Sequence, residues 1–144
     1  MRVDVLVVTR NRAALLRTAV GSALHQNRAE KRVVVMDDGS SDGTGSLRQE
    51  FPGVTWERCD VPMGCIAARN RWFRNTPADA VCLLDDDARF LCDDALSRAM
   101  ECLEGDRRVA AVGLDVISPG REGRRSRGAP WPAHTFQGCG SVLR

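Results

Sequence analysis

Three consecutive carboxylates, Asp85, Asp86 and Asp87, follow directly on the apolar run Ala80-Val81-Cys82-Leu83-Leu84. A run of that length and aliphatic content reads as a central strand, residues 80–84, buried on both faces. Such a strand cannot hide three acids, so they belong at its carboxyl end, in a crevice. Like charges held so close repel one another unless a cation is at hand. Hard oxygen donors of this kind suit Mg2+ or Mn2+, which take a few carboxylates and leave positions for substrate phosphates. If the chain stays extended, Asp85 and Asp87 share one side and Asp86 takes the other. Asp85 and Asp87 are therefore candidate metal ligands in a metal–diphosphate site. The competing reading is an acidic turn that opens a loop and binds nothing.

The surrounding elements decide between the two. Residues 3–8 form a β-rich run that ends in the polar turn Thr9-Arg10-Asn11-Arg12. Over residues 13–25, Leu15, Leu16, Ala19, Val20, Ala23 and Leu24 recur at helical spacing on one face. Residues 33–36 read as a second buried strand, closed by Asp37-Asp38-Gly39-Ser40-Ser41-Asp42-Gly43-Thr44. That cluster is turn chemistry, and Ser41 or Asp42 is placed to cap the short helix after it. A weaker strand is expected at 54–58 and a helix at 64–75, bounded by Pro62 and Pro77. Asp93 is a candidate N-cap for a helix carrying Ala95, Leu96, Ala99, Met100 and Leu103. A last strand is expected over 109–117, closed by Ser118-Pro119-Gly120.

Strand and helix patterns alternate, so the expected fold class is α/β, with a mostly parallel, Rossmann-like sheet covered by helices on both faces. In such sheets ligands bind at the carboxyl ends of strands. Three polar strand ends then converge: Thr9-Arg10-Asn11, Asp37-Asp38 and Asp85 to Asp87. That convergence favours a site over a plain acidic turn. A dinucleotide fingerprint would need G-x-G-x-x-G after the first strand, where this chain has Thr9-Arg10-Asn11-Arg12-Ala13-Ala14. The P-loop pattern is missing as well. The acid after the second strand suits a ribose or a base edge. A nucleoside can thus be gripped by the first half, with its diphosphate held through metal on Asp85 and Asp87.

Composition narrows the classes further. The 144 residues are 43% hydrophobic and 28% charged with a net charge of +2, which gives no general attraction to nucleic acid or an anionic membrane. Lys31 is the only lysine, so clustered arginines carry less weight as a signal. Six cysteines form no C-x-x-C pair and no Cys/His zinc spacing. Several sit at apolar positions, which suits a reducing compartment. No signal-peptide core and no apolar run of ~20 residues is present. A cytoplasmic location, with peripheral attachment at the cytoplasmic membrane face as an option, is the expectation. His25 and His134 read as structural or solvent-facing. Residues 121–128, rich in arginine and glycine, read as a solvated loop, or as one closing over a bound diphosphate or lipid phosphate. Trp131, between Pro130 and Pro132, pins a loop or stacks on a bound molecule.

Four stretches together resemble the amino-terminal half of a family 2 glycosyltransferase with the GT-A fold. They are Val7-Val8-Thr9-Arg10-Asn11-Arg12, the 35–44 run with D-D-G-S-S-D-G-T, Gly64-Cys65-Ile66-Ala67-Ala68-Arg69-Asn70, and Leu83-Leu84-Asp85-Asp86-Asp87-Ala88. They occur in the family's order over residues 3 to 90. The 136–144 segment also resembles the family's acceptor-side strand. The resemblance implies one domain over 1–144, with 1–90 binding nucleotide and metal and 91–144 beginning an incomplete acceptor-side region.

It also implies roles. Asp38 would accept a hydrogen bond from the nucleobase imide, commonly uracil, with Asp37 supporting the turn. Thr9 and Arg10 would flank base and ribose, and Arg69 would approach the nucleotide or its phosphates. Asp85 and Asp86 would contribute to nucleotide binding, Asp85 reaching the ribose or the metal's water shell. Asp87 would ligate Mn2+ or Mg2+ directly. The implied reaction is transfer of a sugar from a nucleotide sugar to an acceptor hydroxyl, usually with inversion. A UDP-sugar is favoured as donor over GDP- or dTDP-sugars, and the acceptor would be a sugar, a lipid-linked molecule or a small molecule. The family's base is usually an Asp or Glu beyond the acceptor-side strand; no acidic pair follows that strand here, so the base stays unassigned. The expectation is a fragment, or a domain that holds the nucleotide sugar without turning it over. A nucleotidyltransferase is the third reading, disfavoured by the missing glycine-rich loop.

Overall fold

The computed structural model describes residues 1–28, 30–118 and 139–144. The strands among them are β1 (Val3–Thr9), β2 (Lys31–Asp37), β3 (Thr55–Arg58), β4 (Ala80–Leu83), β5 (Ala111–Gly113) and β6 (Ser141–Leu143). They form one sheet in the order β3-β2-β1-β4-β6-β5. The four strands from β3 to β4 run parallel, and β6 lies antiparallel between β4 and β5. The helices are α1 (Ala13–Leu24), α2 (Leu47–Glu50, after a 3-10 turn at Gly43–Ser46), α3 (Cys65–Asn75) and α4 (Ala95–Gly105). The α/β, mostly parallel architecture expected from the alternating patterns is the one observed.

Side-chain alternation sorts the core into two layers. Val3, Val5 and Val7 of β1 join Val33 and Val35 of β2 beneath α1 and α4, which contribute Leu16, Ala19, Val20, Leu96, Ala99, Met100 and Leu103. Leu47 of α2 packs into the same layer. On the other face, Leu6, Val34, Met36, Val81 and Leu83 meet Ala68 and Trp72 of α3. Central strands buried on both faces explain why their sequence reads as continuous rather than alternating apolar runs. Cys82 belongs to this core, and burial pushes its thiol up to about 12, so it acts as a small hydrophobe. All six cysteines are free.

Three local expectations change. β4 ends at Leu83; Leu84 is still buried, donating its N–H to the Leu6 carbonyl. The residue ahead of α4 is Asp94, without a side-chain cap. Instead Gln26, 3% exposed, accepts from the Leu96 N–H through Oε1 at 2.9 Å and donates to the Cys92 carbonyl. A buried amide from α1's end thus does the work expected of Asp93. The strand foreseen over 109–117 shrinks to Ala111–Gly113, because β6 offers only three residues for it to pair with. The readings placed on Pro119, Gly120, 121–128, Trp131, His134 and 136–138 lie outside the described residues. His25 is exposed and bonds the Gly21 carbonyl through Nδ1.

One buried charge fixes α3 to the sheet. Asp4 of β1 is 2% exposed and faces the α3 layer. Its cross-strand neighbour Arg32 donates to both carboxylate oxygens, at 2.9 and 2.7 Å. Trp72 Nε1 donates to Oδ2 at 3.0 Å, as does the Thr76 hydroxyl. Arg32 also lies over the Trp72 ring, 5.3 Å from its centroid. Asp4→Ala strands the buried indole N–H and removes a paired charge, so it should destabilise the fold by about 3 kcal/mol. Urea denaturation measures this; a loss under about 1 kcal/mol would show that α3 is held by apolar contacts alone.

Candidate functional site

Parallel strands deliver their carboxyl ends to one edge, and the register puts Thr9 of β1 opposite Asp37 of β2. The loop after β2 is organised almost wholly by its own polar residues. Asp37, 1% exposed, accepts from the Ser40 N–H at 2.8 Å and from Arg58 Nη1 at 2.5 Å. Asp38, 4% exposed, donates its N–H to the Thr9 carbonyl and receives the Met63 and Gly64 N–H groups, one on each oxygen. Gly39 takes φ +74, and a Cβ there would meet Pro62 at 2.9 Å, so the position requires glycine. Asn11 takes φ +55, a conformation asparagine tolerates better than most residues. Its N–H donates to Ser40 Oγ and its side-chain oxygen accepts from the Ser41 N–H. Asp42 receives the Thr44 N–H and hydroxyl on one oxygen and the Ala13 N–H of α1 on the other. It therefore caps the 3-10 turn and docks the start of α1, where Arg12 gives no side-chain cap.

The acidic turn lies beside this loop. A bond from the Ala88 N–H to the Asp85 carbonyl folds residues 85–88 into a turn, so simple strand alternation does not apply. Asp86 nevertheless points inward: it is 7% exposed, accepting from Thr9 Oγ1 at 2.8 Å and from Arg12 Nη1 at 3.1 Å. Asp85 and Asp87 stay open, with side chains 41% and 55% exposed. Arg69, on the second turn of α3, donates to Asp85 Oδ1 at 2.5 Å. Its Nε is buried without a hydrogen-bond partner among the described residues. Arg12 Nη1 also reaches Asp87 Oδ2 at 3.3 Å. The Cys139 thiol hydrogen-bonds with Asp85, and burial is the main cause that raises its pKa.

Of the residues singled out in the sequence, Thr9, Asp37, Asp38, Asp85, Asp86, Asp87 and Arg69 come together at this edge. Asp37 and Asp86 are buried braces whose oxygens are all in use by protein groups, and Thr9 is 2% exposed. Arg10 is exposed and makes no hydrogen bond or ion pair among the described residues. Arg12, Arg58, Asn11 and Cys139 were not singled out as site residues. The signal for Arg12 and Arg58 was the acids themselves, since buried carboxylates need cationic partners.

Two half-open carboxylates are a donor set suited to Mg2+ or Mn2+ completed by water and phosphate oxygens. The orphaned Arg69 N–H beside Asp85 suits a phosphate oxygen as its missing acceptor. Among the described residues no group of three or more His, Cys, Asp or Glu forms a metal cage, and no helix is long and apolar enough to cross a membrane.

A family model described as "Glycosyl transferase family 2" matches residues 4–139. Among solved structures, the chain is similar to the mannosyltransferase PcManGT from Pyrobaculum calidifontis in complex with GDP-Man and Mn2+. The identity is 30% and the TM-score 0.71, over 82% of this chain and 36% of that one. S. aureus TarS 1-349 shares the fold at 18% identity and TM-score 0.78, over 100% of this chain and 47% of that one. Its complex with UDP-GlcNAc matches at 20% identity and TM-score 0.75, over 91% and 37%. The chain thus spans about a third to a half of the length of these relatives. No curated protein matches it.

The Asp42 cap titrates in a definite direction. Hydrogen bonds from the Thr44 hydroxyl and N–H hold its carboxyl below the ordinary value of 3.8. Its stabilisation is therefore complete above that value and is lost as pH falls through the depressed folded value. Asp42→Ala should melt a few degrees below wild type near neutral pH, with the two curves converging as pH falls through the depressed folded value. Calorimetric melting across this range checks it; a gap independent of pH would assign the effect to something other than the carboxylate.

Proposed function

The chain belongs to glycosyl transferase family 2, and we propose that it forms the donor-binding half of a divalent-metal-dependent, inverting transfer of a sugar from a nucleotide sugar to an acceptor hydroxyl. The observation that carries this reading is the acidic turn at the end of β4. It leaves Asp85 and Asp87 open beside Arg69 while the buried Asp86 holds the turn against Thr9 and Arg12. Asp85 and Asp87 would hold Mn2+ or Mg2+, which as a Lewis acid stabilises charge on the departing nucleoside diphosphate. Mn2+ in the PcManGT complex supports that choice.

The chain's own residues do the rest. Arg69 Nε supplies a preorganised N–H for a phosphate oxygen, at no cost in displaced protein partners. Asp38 keeps a spare lone pair on each oxygen beyond its two loop bonds, which suits the imide N–H of a uracil or the corresponding edge of guanine. Arg10 and the Thr9 backbone flank base and ribose. Asp37 and Asp86 serve the donor by fixing these neighbours. UDP-GlcNAc bound to TarS and GDP-Man bound to PcManGT support a nucleotide sugar and leave two bases to compare. The acceptor is a hydroxyl of a sugar, lipid-linked or small molecule. Six free cysteines suit a reducing cytoplasm.

Titration calorimetry with UDP, GDP and dTDP, with and without Mn2+, tests this on the wild type and Asp87→Ala. The expected outcome is metal-dependent binding of one nucleotide, lost in the variant, and loss of sugar transfer in the same variant. Binding that ignores both metal and Asp87 would remove the metal reading. Metal-dependent binding without transfer to any acceptor would recast the chain as a holding domain.

A further inference from the structure

Arg12, so far only the partner of the buried Asp86, contacts two of the three acids of the turn. One nitrogen, Nη1, is shared between Asp86 Oδ1 at 3.1 Å and Asp87 Oδ2 at 3.3 Å. The two contacts are unequal. The Asp86 side chain is 9% exposed and its other oxygen is taken by the Thr9 hydroxyl, whereas Asp87 is 55% exposed and has no other hydrogen bond among the described residues. The Arg12 side chain is itself 52% exposed, on the residue ahead of α1. A guanidinium shared in this way is tethered by its buried partner and exchangeable at its exposed one. A dication arriving on Asp87 meets a positive charge already bound to that carboxylate, and the two cations repel.

We propose that Arg12 is the counter-ion that a divalent cation displaces from Asp87, and that it thereby sets the metal affinity of the acidic turn. The proposal rests on the reading of Asp87 as a metal ligand. Arg12 acts through Asp87 and is a positioning residue. It keeps three adjacent carboxylates compatible with a folded turn while no metal is bound, and it gives way at one contact while Asp86 retains it. The metal is thereby held more weakly than the bare carboxylates would hold it.

Manganese titration followed by the electron paramagnetic resonance signal of free Mn2+, without nucleotide, tests this on the intact protein. The set is wild type, Arg12→Gln, Arg12→Lys and Asp87→Asn. Removing a competing, solvent-exposed ion pair should tighten Mn2+ binding about three-fold in Arg12→Gln. Arg12→Lys, which keeps the charge, should return the affinity to wild type, and Asp87→Asn should bind weakest. Unchanged or weaker binding in Arg12→Gln, with binding still lost in Asp87→Asn, overturns the inference and leaves the metal reading standing. Wild-type protein that binds no Mn2+, or Asp87→Asn that binds as wild type does, overturns both. Arg12→Met, which keeps the aliphatic stem, takes the place of Arg12→Gln if that variant lacks the wild-type far-ultraviolet spectrum.

Discussion

Parallel strands send all their carboxyl ends the same way, and here that edge carries Asp37, Asp38, Asp85, Asp86 and Asp87. Such a concentration of like charge in a partly dry crevice is compatible with folding only if each carboxylate finds positive charge or N–H donors. The chain meets this constraint separately at each position. Arg58 and the Ser40 N–H serve Asp37, two loop N–H groups serve Asp38, Arg69 serves Asp85, and Arg12 with Thr9 serves Asp86. Among the described residues, Asp87 alone is left with a single exposed contact. The gradient from fully satisfied to nearly free acids is what separates braces from candidate ligands in the same sequence motif.

Helix α3 ties this edge to the opposite one. Its amino-terminal approach is clamped by Asp38 through Met63 and Gly64, and its carboxyl-terminal end by Asp4 through Trp72 and Thr76. A helix held at both ends by buried carboxylates, one just after β2 and one on β1, has little freedom to slide or rotate. Arg69 lies between the clamps and so meets Asp85 in a fixed geometry, with its Nε unused. Site geometry at one end of the sheet therefore depends on a charge at the other, which is how a positioned group is supported by packing far from the chemistry.

Much of this was legible in the sequence. The alternation of buried runs and helical stripes gave the parallel core, and the order of its polar strand ends located the edge. What could not be read was which acids the fold would consume. Asp37, Asp38, Asp86 and Asp87 are the same residue type within two short loops, and only three-dimensional neighbours such as Arg58, the Gly64 N–H and Arg12 distinguish them. The same limit explains Asp93: local capping statistics favoured it, but a glutamine distant in sequence, Gln26, satisfies the Leu96 N–H instead. Asp4 was hidden for a related reason, since a single acid inside a valine-rich strand looks like noise until Arg32, Trp72 and Thr76 surround it.

The placement of β6 also has a consequence for how the molecule comes into being. The strands β3, β2, β1 and β4 are complete once residue 83 exists, but the neighbour of β4 is made roughly sixty residues later. Until then β4 presents an open backbone edge, flanked by apolar side chains, of the kind that recruits other chains. At ribosomal speeds the exposure lasts several seconds. β5 cannot relieve it, because its pairing in the sheet is with β6. The nascent protein thus passes through a sticky, half-closed stage, and β6, made well after the strands it completes, is the one that seals it.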